Sequence, residues 1–350
     1  MKLRKMVLCI MGLCMAFSMT ACGKTEKVAD KKTESETVIG FVTGLDGLGG
    51  QGFSDAVYKG VKQLEEEMGT KTILIESKDV SDFATNLRTI CNQGAKIVLV
   101  PGIQLMDALK TVAPEYPDVQ FIFIDGELEG FDNVTSTLFR EQEAAYLLGA
   151  FAGLTTNTNK VGYIGGTEGS TQERAMSGFM AGFKTTNPEG ECIQLYAGTF
   201  NDPGKGKEIA TQLYNQGADM VATWAGSVNT GVFQAAEAKG EGYYALGAAL
   251  GQFEQSPEKI MASQVKTLDV ITFNLVKAAM EGTLGKGATV MGIKEGGVDI
   301  LYNPDKDILS KVADDSVVDT VNKLRDKIVN GEITVPDSKE ALETFEYPGI

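Results

Sequence analysis

Short apolar runs alternate with helically spaced segments along most of the chain, and the alternation starts afresh near its middle. Few architectures accept such a pattern. In the first half, strand signals fall at 38–42, 72–76, 97–100, 121–125 and 134–138, with helical spacing at about 53–68, 82–93 and 104–116 between them. Asn92-Gln93-Gly94 puts glycine where a helix ends. Pro114 and Pro117 bracket another end. Short joints between alternating strands and helices call for parallel strands joined by right-handed helical crossovers.

The second half repeats the grammar. Helices are expected at about 141–154, 172–186, 203–216 and 229–239, and strands at 160–165, 192–197, 219–224, 243–247 and 260–265. A strong helix follows at 268–280 and another at 317–330, stopped by Gly331 ahead of a short extended piece, Ile333-Thr334-Val335-Pro336. The fold class is therefore α/β, with two doubly wound parallel-sheet lobes and a ligand cleft between them. The N-terminal lobe is expected over 38–139 with a return of roughly 264–290. The C-terminal lobe is expected over 140–263 with part of 291–335, and a tail over 336–350. Beyond about residue 285 the pattern gives no path.

The first strand runs into Gly44, Gly47, Gly49, Gly50 and Gly52, too many glycines for a regular element, and helical spacing begins at Phe53. In open α/β sheets ligands bind at such carboxyl ends of strands. Gly47-x-Gly49-x-x-Gly52 also fits a dinucleotide fingerprint, with Glu76 near the end of the next strand to hold a ribose. A chain with 41 glycines makes that match by accident.

Ahead of the first strand, Lys2, Arg4 and Lys5 precede an apolar, uncharged stretch from Met6 to Met19, the length of a signal-peptide core and short for a membrane span. Met19-Thr20-Ala21-Cys22 resembles a bacterial lipobox with Met19 in place of the usual Leu. The expectation is a signal peptide over 1–21, lipidation of Cys22, and a polar flexible tether over 22–37 that holds the protein on the extracytoplasmic face of the cell membrane. An ordinary signal peptide with an incidental cysteine is the alternative. Cys91 and Cys192 read as buried small residues. With no histidine, His-based triads, proton shuttles and metal ligands are excluded. A net charge of −15 argues against nucleic acid and against docking on anionic lipid.

Several blocks resemble a known family. The most specific is Phe131-Asp132-Asn133-Val134-Thr135-Ser136-Thr137-Leu138-Phe139-Arg140-Glu141-Gln142-Glu143-Ala144-Ala145-Tyr146-Leu147-Leu148-Gly149. With it go Lys160-Val161-Gly162-Tyr163-Ile164-Gly165-Gly166, Gly178-Phe179-Met180-Ala181-Gly182-Phe183, Thr199-Phe200-Asn201-Asp202-Pro203-Gly204-Lys205-Gly206-Lys207 and Ser263-Gln264-Val265-Lys266. In this order, over about 38–282, they resemble the basic membrane protein (BMP) lipoprotein family, substrate-binding proteins of ABC importers whose characterised members bind purine nucleosides. The resemblance implies a type I periplasmic-binding fold. It implies that Phe53 stacks on the base, that Trp224 supplies a second aromatic, and that Lys266 reaches the ribose.

Three departures bear on the ligand. Gly44 stands where the family has an aspartate after the first strand. Gly49 and Gly50 stand where it has acids, and Ser54 where it has asparagine. Gly247-Ala248-Ala249-Leu250-Gly251-Gln252 replaces a late segment with two aspartates. A site built on buried acceptors selects strongly for donors; without them this one is less polar and less suited to a nucleoside.

The expected ligand-binding set is Thr43, Gly44, Asp46, Gly52, Phe53, Ser54, Asp125, Trp224, Gly226, Ala249 and Lys266. Bland readings stand beside several of these. Phe53 can be a staple on its own helix, Trp224 a core aromatic, Lys266 a solvated lysine, and Asp46 or Asp55 a solvated loop acid. The glycine loop itself can approach a ligand through backbone N–H groups. No catalytic residue, metal or cofactor is expected. The function that follows is a lipid-anchored solute receptor for a nucleoside, nucleobase or related aromatic heterocycle, passing it to an ABC permease. The alternatives are an NAD-dependent enzyme using Gly47, Gly49 and Gly52, or a ligand-free surface sensor or adhesin.

Overall fold

The computed structural model describes residues 37–49 and 52–349; the expected signal peptide, Cys22 and nearly all of the expected tether lie outside the described residues. The first lobe opens with β1 (Val38–Val42), α1 (Phe53–Met68), β2 (Lys71–Ile75), α2 (Phe83–Asn92), β3 (Ile97–Pro101), α3 (Met106–Val112), β4 (Gln120–Ile124) and β5 (Val134–Phe139). The second contains α4 (Glu141–Thr155), β6 (Lys160–Gly165), α5 (Ser170–Thr186), β7 (Glu191–Tyr196), α6 (Pro203–Asn215), β8 (Met220–Trp224), α7 (Val228–Lys239), β9 (Tyr244–Gly247) and β10 (Ile260–Lys266). Next come α8 (Leu268–Met280), β11 (Gly287–Met291), β12 (Val298–Tyr302), α9 (Lys306–Leu309), α10 (Asp315–Val329) and α11 (Lys339–Glu343).

Among the described residues two six-stranded sheets form, in the orders β11-β5-β4-β3-β1-β2 and β12-β10-β9-β8-β6-β7. Every pairing is parallel except β10 with β12. Parallel sheets are covered on both faces, and the side chains divide accordingly. Ile97 and Leu99 on β3 join the core that includes α1, while Val98 and Val100 join the one formed with α2 and α3. The second sheet divides the same way, with Tyr163 packed toward α4 and α5 and Ile164 toward α6 and α7.

Two departures from the sequence reading are local. The helix expected over 104–116 is broken: single 3-10 turns at Ile103–Leu105 and Ala113–Glu115 flank α3, because Pro114 has no N–H to continue the ladder. The piece Ile333 to Pro336 joins no strand, although Ile333 and Val335 are buried. No described helix is long and apolar enough to cross a membrane. Cys91 and Cys192 are free thiols.

Helix α4 packs nearly all round, and glycine lets α5 approach it backbone to backbone. A Cβ at Gly182 would lie 1.8 Å from the Tyr146 carbonyl oxygen. The chain passes between sheets at three places: Arg140 after β5, Thr267 after β10, and 292–297 between β11 and β12. These segments are stitched together. Arg140 N–H donates to Met291 O at 3.0 Å and Thr267 N–H to Gly297 O at 3.1 Å. Ile293 N–H donates to the Glu143 carboxylate at 2.7 Å. The result is three hydrogen-bonded connecting segments side by side between the sheets.

Candidate binding cleft between the strand ends

The loop after β1 is held by its own carboxylates. Gly52 begins α1 and has no side chain with which to cap it. Asp46 takes the capping role from six residues upstream: its two oxygens accept from Ser54 N–H at 2.7 Å and Ser54 Oγ–H at 2.7 Å. Ser54 Oγ in turn accepts from Gly44 N–H at 3.3 Å. Asp55 accepts from Gly49 N–H at 2.7 Å and Gly52 N–H at 3.1 Å. Glu76 accepts from Leu48 N–H at 3.1 Å. Thr43 is fully buried, donating its hydroxyl to Gly44 O and accepting from Ser77 N–H.

These bonds correct three expectations. The Gly49 and Gly52 N–H groups point at Asp55, so they do not cradle a pyrophosphate or a ligand in this arrangement. Glu76 serves the loop and is not offered to a ribose. Asp46 and Asp55 are neither solvated acids nor ligand acceptors here but the struts of the loop. Burial nevertheless lifts the Asp46 carboxyl above its ordinary range, against the hydrogen bonds from Ser54. A Cβ at Gly44 would meet Gln104 Nε2 at 2.7 Å and Asp46 Oδ1 at 2.9 Å, so a side chain there requires both of these side-chain ends to shift.

The carboxyl ends of β4, β5, β8, β9 and β10 meet around Lys266. Its Nζ lies 2.7 Å from Asp125 Oδ1 and 2.8 Å from Glu141 Oε1. The same nitrogen sits 4.7 Å from the centroid of Phe139, 5.0 Å from Trp224 and 5.8 Å from Phe53, within the range in which a ring face attracts a cation. Lys266 is thus a buried ion in an aromatic cage, not a solvated lysine. Arg174 completes the chain of charges, its Nε 2.9 Å from Glu141 Oε2. Burial raises the Asp125 carboxyl above the usual range, Lys266 opposes this, and Glu141 adds to it. Glu141 is fully buried yet held low, because Lys266 and Arg174 together outweigh its desolvation.

A small cavity of about 40 Å³ remains, lined by Gly52, Phe53, Trp224, Gly226, Ala249 and Lys266, with Asn229, Gln252 and Leu268. Of the residues picked from sequence, Thr43, Gly44, Asp46 and Ser54 serve the loop behind it. Phe139, Glu141, Asn229 and Gln252 come from the structure alone. Phe139 and Glu141 lie inside the most specific sequence block, but an apolar strand end and an acid at a helix start give no reason to choose them. Asn229 was hidden in a helix start; its Oδ1 accepts from Thr223 Oγ–H and Ala225 N–H, both at 2.8 Å, and its amide donates to Gln252 Oε1 at 3.0 Å. Asp125, Ala249 and Gln252 all have positive φ, at 69°, 58° and 60°. Strained backbone of this kind gathers at functional sites.

A larger groove of about 770 Å³ runs beneath the C-terminal tail, with Arg140, Glu143, Lys294, Val335 and Phe345 in its walls. It is built by the connecting segments and the tail rather than by strand ends, and Phe345 is the single ring in its lining, so it offers no aromatic pair.

Two doubly wound lobes joined by three crossovers, with aromatic and charged side chains gathered at the strand ends, define a two-lobed solute-binding protein. The chain belongs to the Bmp family, described as PnrA-like ABC transporter substrate-binding proteins, which it matches over residues 38–339. It is 31% identical to a CD4+ T-cell-stimulating antigen of Listeria innocua, over 91% of this chain and 94% of that one. It is 30% identical to the ABC transporter nucleoside-binding protein BmpA of Lactococcus lactis, over 87% of this chain and 90% of that one. The crystal structure of an ABC transporter solute-binding protein from Aeropyrum pernix superposes with a TM-score of 0.78 at 26% identity, covering 88% of this chain and 96% of that one. The family is one of binding proteins and not of enzymes.

Proposed function

We propose that this chain is a lipid-anchored extracytoplasmic receptor that binds an aromatic heterocycle between its lobes and passes it to an ABC permease. One observation carries the reading: Phe53 from the first lobe and Trp224 from the second line the same cleft, so a flat ring between them would gain area on both faces. Nucleosides, nucleobases and flavins have such rings, and the nucleoside-binding relative supports the class. Lysine and carboxylate beside the rings supply a donor and an acceptor to orient the bound molecule. The cavity of about 40 Å³ admits no ligand of this size, so binding requires the lobes to open about the connecting segments and close again.

The ligand is shifted away from purine ribonucleosides. Of the positions where the family pattern has acids, Ala249 lines this cleft and Gly44 lies in the loop behind it, and Asp125 is paired with Lys266. Calorimetric titration of adenosine, inosine, free nucleobases and flavins tests both statements. A base or flavin should bind more tightly than either nucleoside. Submicromolar adenosine or inosine overturns the shift, and no response to any of them overturns the receptor reading.

The filled cleft gives some support to a second reading, a surface sensor that kept the fold without a solute. Under that reading none of these compounds raises the melting temperature.

A further inference from the structure

The buried chain of charges does more than fill the cleft. We propose that Glu141, backed by Arg174, is a positioning residue that fixes Lys266 in the second lobe, and that the Lys266–Asp125 pair is the interlobe contact which the ligand takes over. The proposal rests on the cleft being the binding site.

The assignment of partners to lobes carries the argument. Lys266 ends β10 of the second sheet, and Asp125 follows β4 of the first. Glu141 is the first residue of α4, a helix packed on β10, β12 and α5. Arg174 lies on α5. When the lobes separate, Glu141, Arg174 and Lys266 therefore travel together, and of the lysine's two ion pairs the 2.7 Å contact to Asp125 is the one that breaks, along with its ring contacts to Phe53 and Phe139. Asp125 itself is held rigidly, in a left-handed conformation at φ 69° with its N–H donating to Thr137 O at 2.9 Å.

An ammonium has three donors. Two of those on Lys266 meet carboxylates, and the cage of rings occupies its remaining side. A ligand with a hydrogen-bond donor next to an acceptor, such as a vicinal diol or a cyclic amide, can insert between the pair. Its donor goes to Asp125 and its acceptor to Lys266. Glu141 keeps the lysine from swinging to solvent in the open form. The charged groups facing Asp125 are Lys266 from β10 and Glu141 from the start of α4, with Arg174 from α5 behind them. The negative charge on Glu141 helps to hold the Asp125 proton.

Trp224 is the single tryptophan and lies 5.0 Å from the lysine nitrogen, so its fluorescence reports on this contact without any ligand. In the ligand-free protein its emission should change in one step at a pH above the usual carboxylate range. Asp125→Asn should abolish the step and make Trp224 more accessible to acrylamide. Glu141→Gln should lower the midpoint by about one pH unit or more. Arg174→Met should raise it, and Arg174→Lys should bring it back; this pair reads the positioning role even if Glu141→Gln fails to fold. Lys286→Gln, which removes an exposed pair with Asp132, serves as a surface-charge control and should leave the step in place. A step that survives Asp125→Asn, or a midpoint unmoved by both the Glu141 and Arg174 substitutions, overturns the proposal. Silence in the ligand titrations with the step intact overturns the receptor reading and the exchange of the pair with a ligand, while the positioning of Lys266 by Glu141 and Arg174 stands on the midpoints.

Discussion

Replacing Asp46 separates a strut from a ligand contact. In the structure its carboxylate accepts two hydrogen bonds of 2.7 Å from Ser54 and stands in for the side chain that the helix-capping Gly52 lacks. Asp46→Ala removes a helix cap, which costs about 1 kcal/mol. It also leaves the buried Ser54 hydroxyl without its acceptor, at about 1–3 kcal/mol. The sum is about 2–4 kcal/mol, or a fall in Tm of roughly 3–6 °C for a chain of this size. Asp46→Asn keeps an acceptor for the backbone and a donor for Ser54 Oγ, and should cost under about 1 kcal/mol. The sign with pH is also fixed. The Asp46 carboxyl titrates above its ordinary value when folded, so its contribution is complete below about pH 4 and declines as pH rises through the folded value. Asp46→Asn lacks that decline and should compare better with wild type at neutral pH than at acid pH. Thermal unfolding by circular dichroism of the ligand-free protein, at two pH values, measures all of this. An Asp46→Ala protein within about 0.5 kcal/mol of wild type would refute the capping argument and return Asp46 to the list of ligand acceptors.

Other outcomes follow from the same geometry. Lys266→Met leaves Asp125 without its cation in a buried site and should cost about 3–5 kcal/mol at neutral pH; because the Asp125 carboxyl already titrates high, protonation at acid pH removes the stranded charge, and the loss in Tm should shrink there. Gly182→Ala forces a methyl onto a carbonyl oxygen 1.8 Å away, prises α5 from α4 and should lower the urea midpoint by the equivalent of about 1–3 kcal/mol. Ala249→Gly relieves a left-handed alanine and should stabilise by about 0.5–1 kcal/mol in the same assay, whereas Ala249→Asp should raise the calorimetric affinity for adenosine or inosine. Phe53→Ala and Trp224→Ala should each weaken a bound heterocycle by about 1–3 kcal/mol, the usual worth of a stacked ring, and each should also lower the stability of the free protein, because a ring leaves the Lys266 cage and the core behind it.

Much of the fold lay open in the chain because parallel sheets are built from short buried runs between amphipathic helices, and both leave periodic signals. β1, α1, β6 and α8 fall on the residues that their spacing marks. Where burial is missing, so is the signal: four of the five residues of β11 are exposed, and this edge strand reads as polar loop. The antiparallel β12 follows it and was equally hidden behind two glycines, Gly296 and Gly297. Phe53, Trp224 and Lys266 could be picked out by their place at strand and helix ends, and all three line the cleft.

The sequence by itself determined the class of fold, the glycine loop and the aromatic and basic side chains at strand ends, because these depend on neighbours a few residues away. Only the tertiary structure decided what those side chains do. It set Lys266 against Asp125 and Glu141, far off along the chain, and turned Asp46, Asp55 and Glu76 inward to hold the loop. Such choices depend on which charges become buried together once the sheets form, and the energy of a buried charge is fixed by its partners in space.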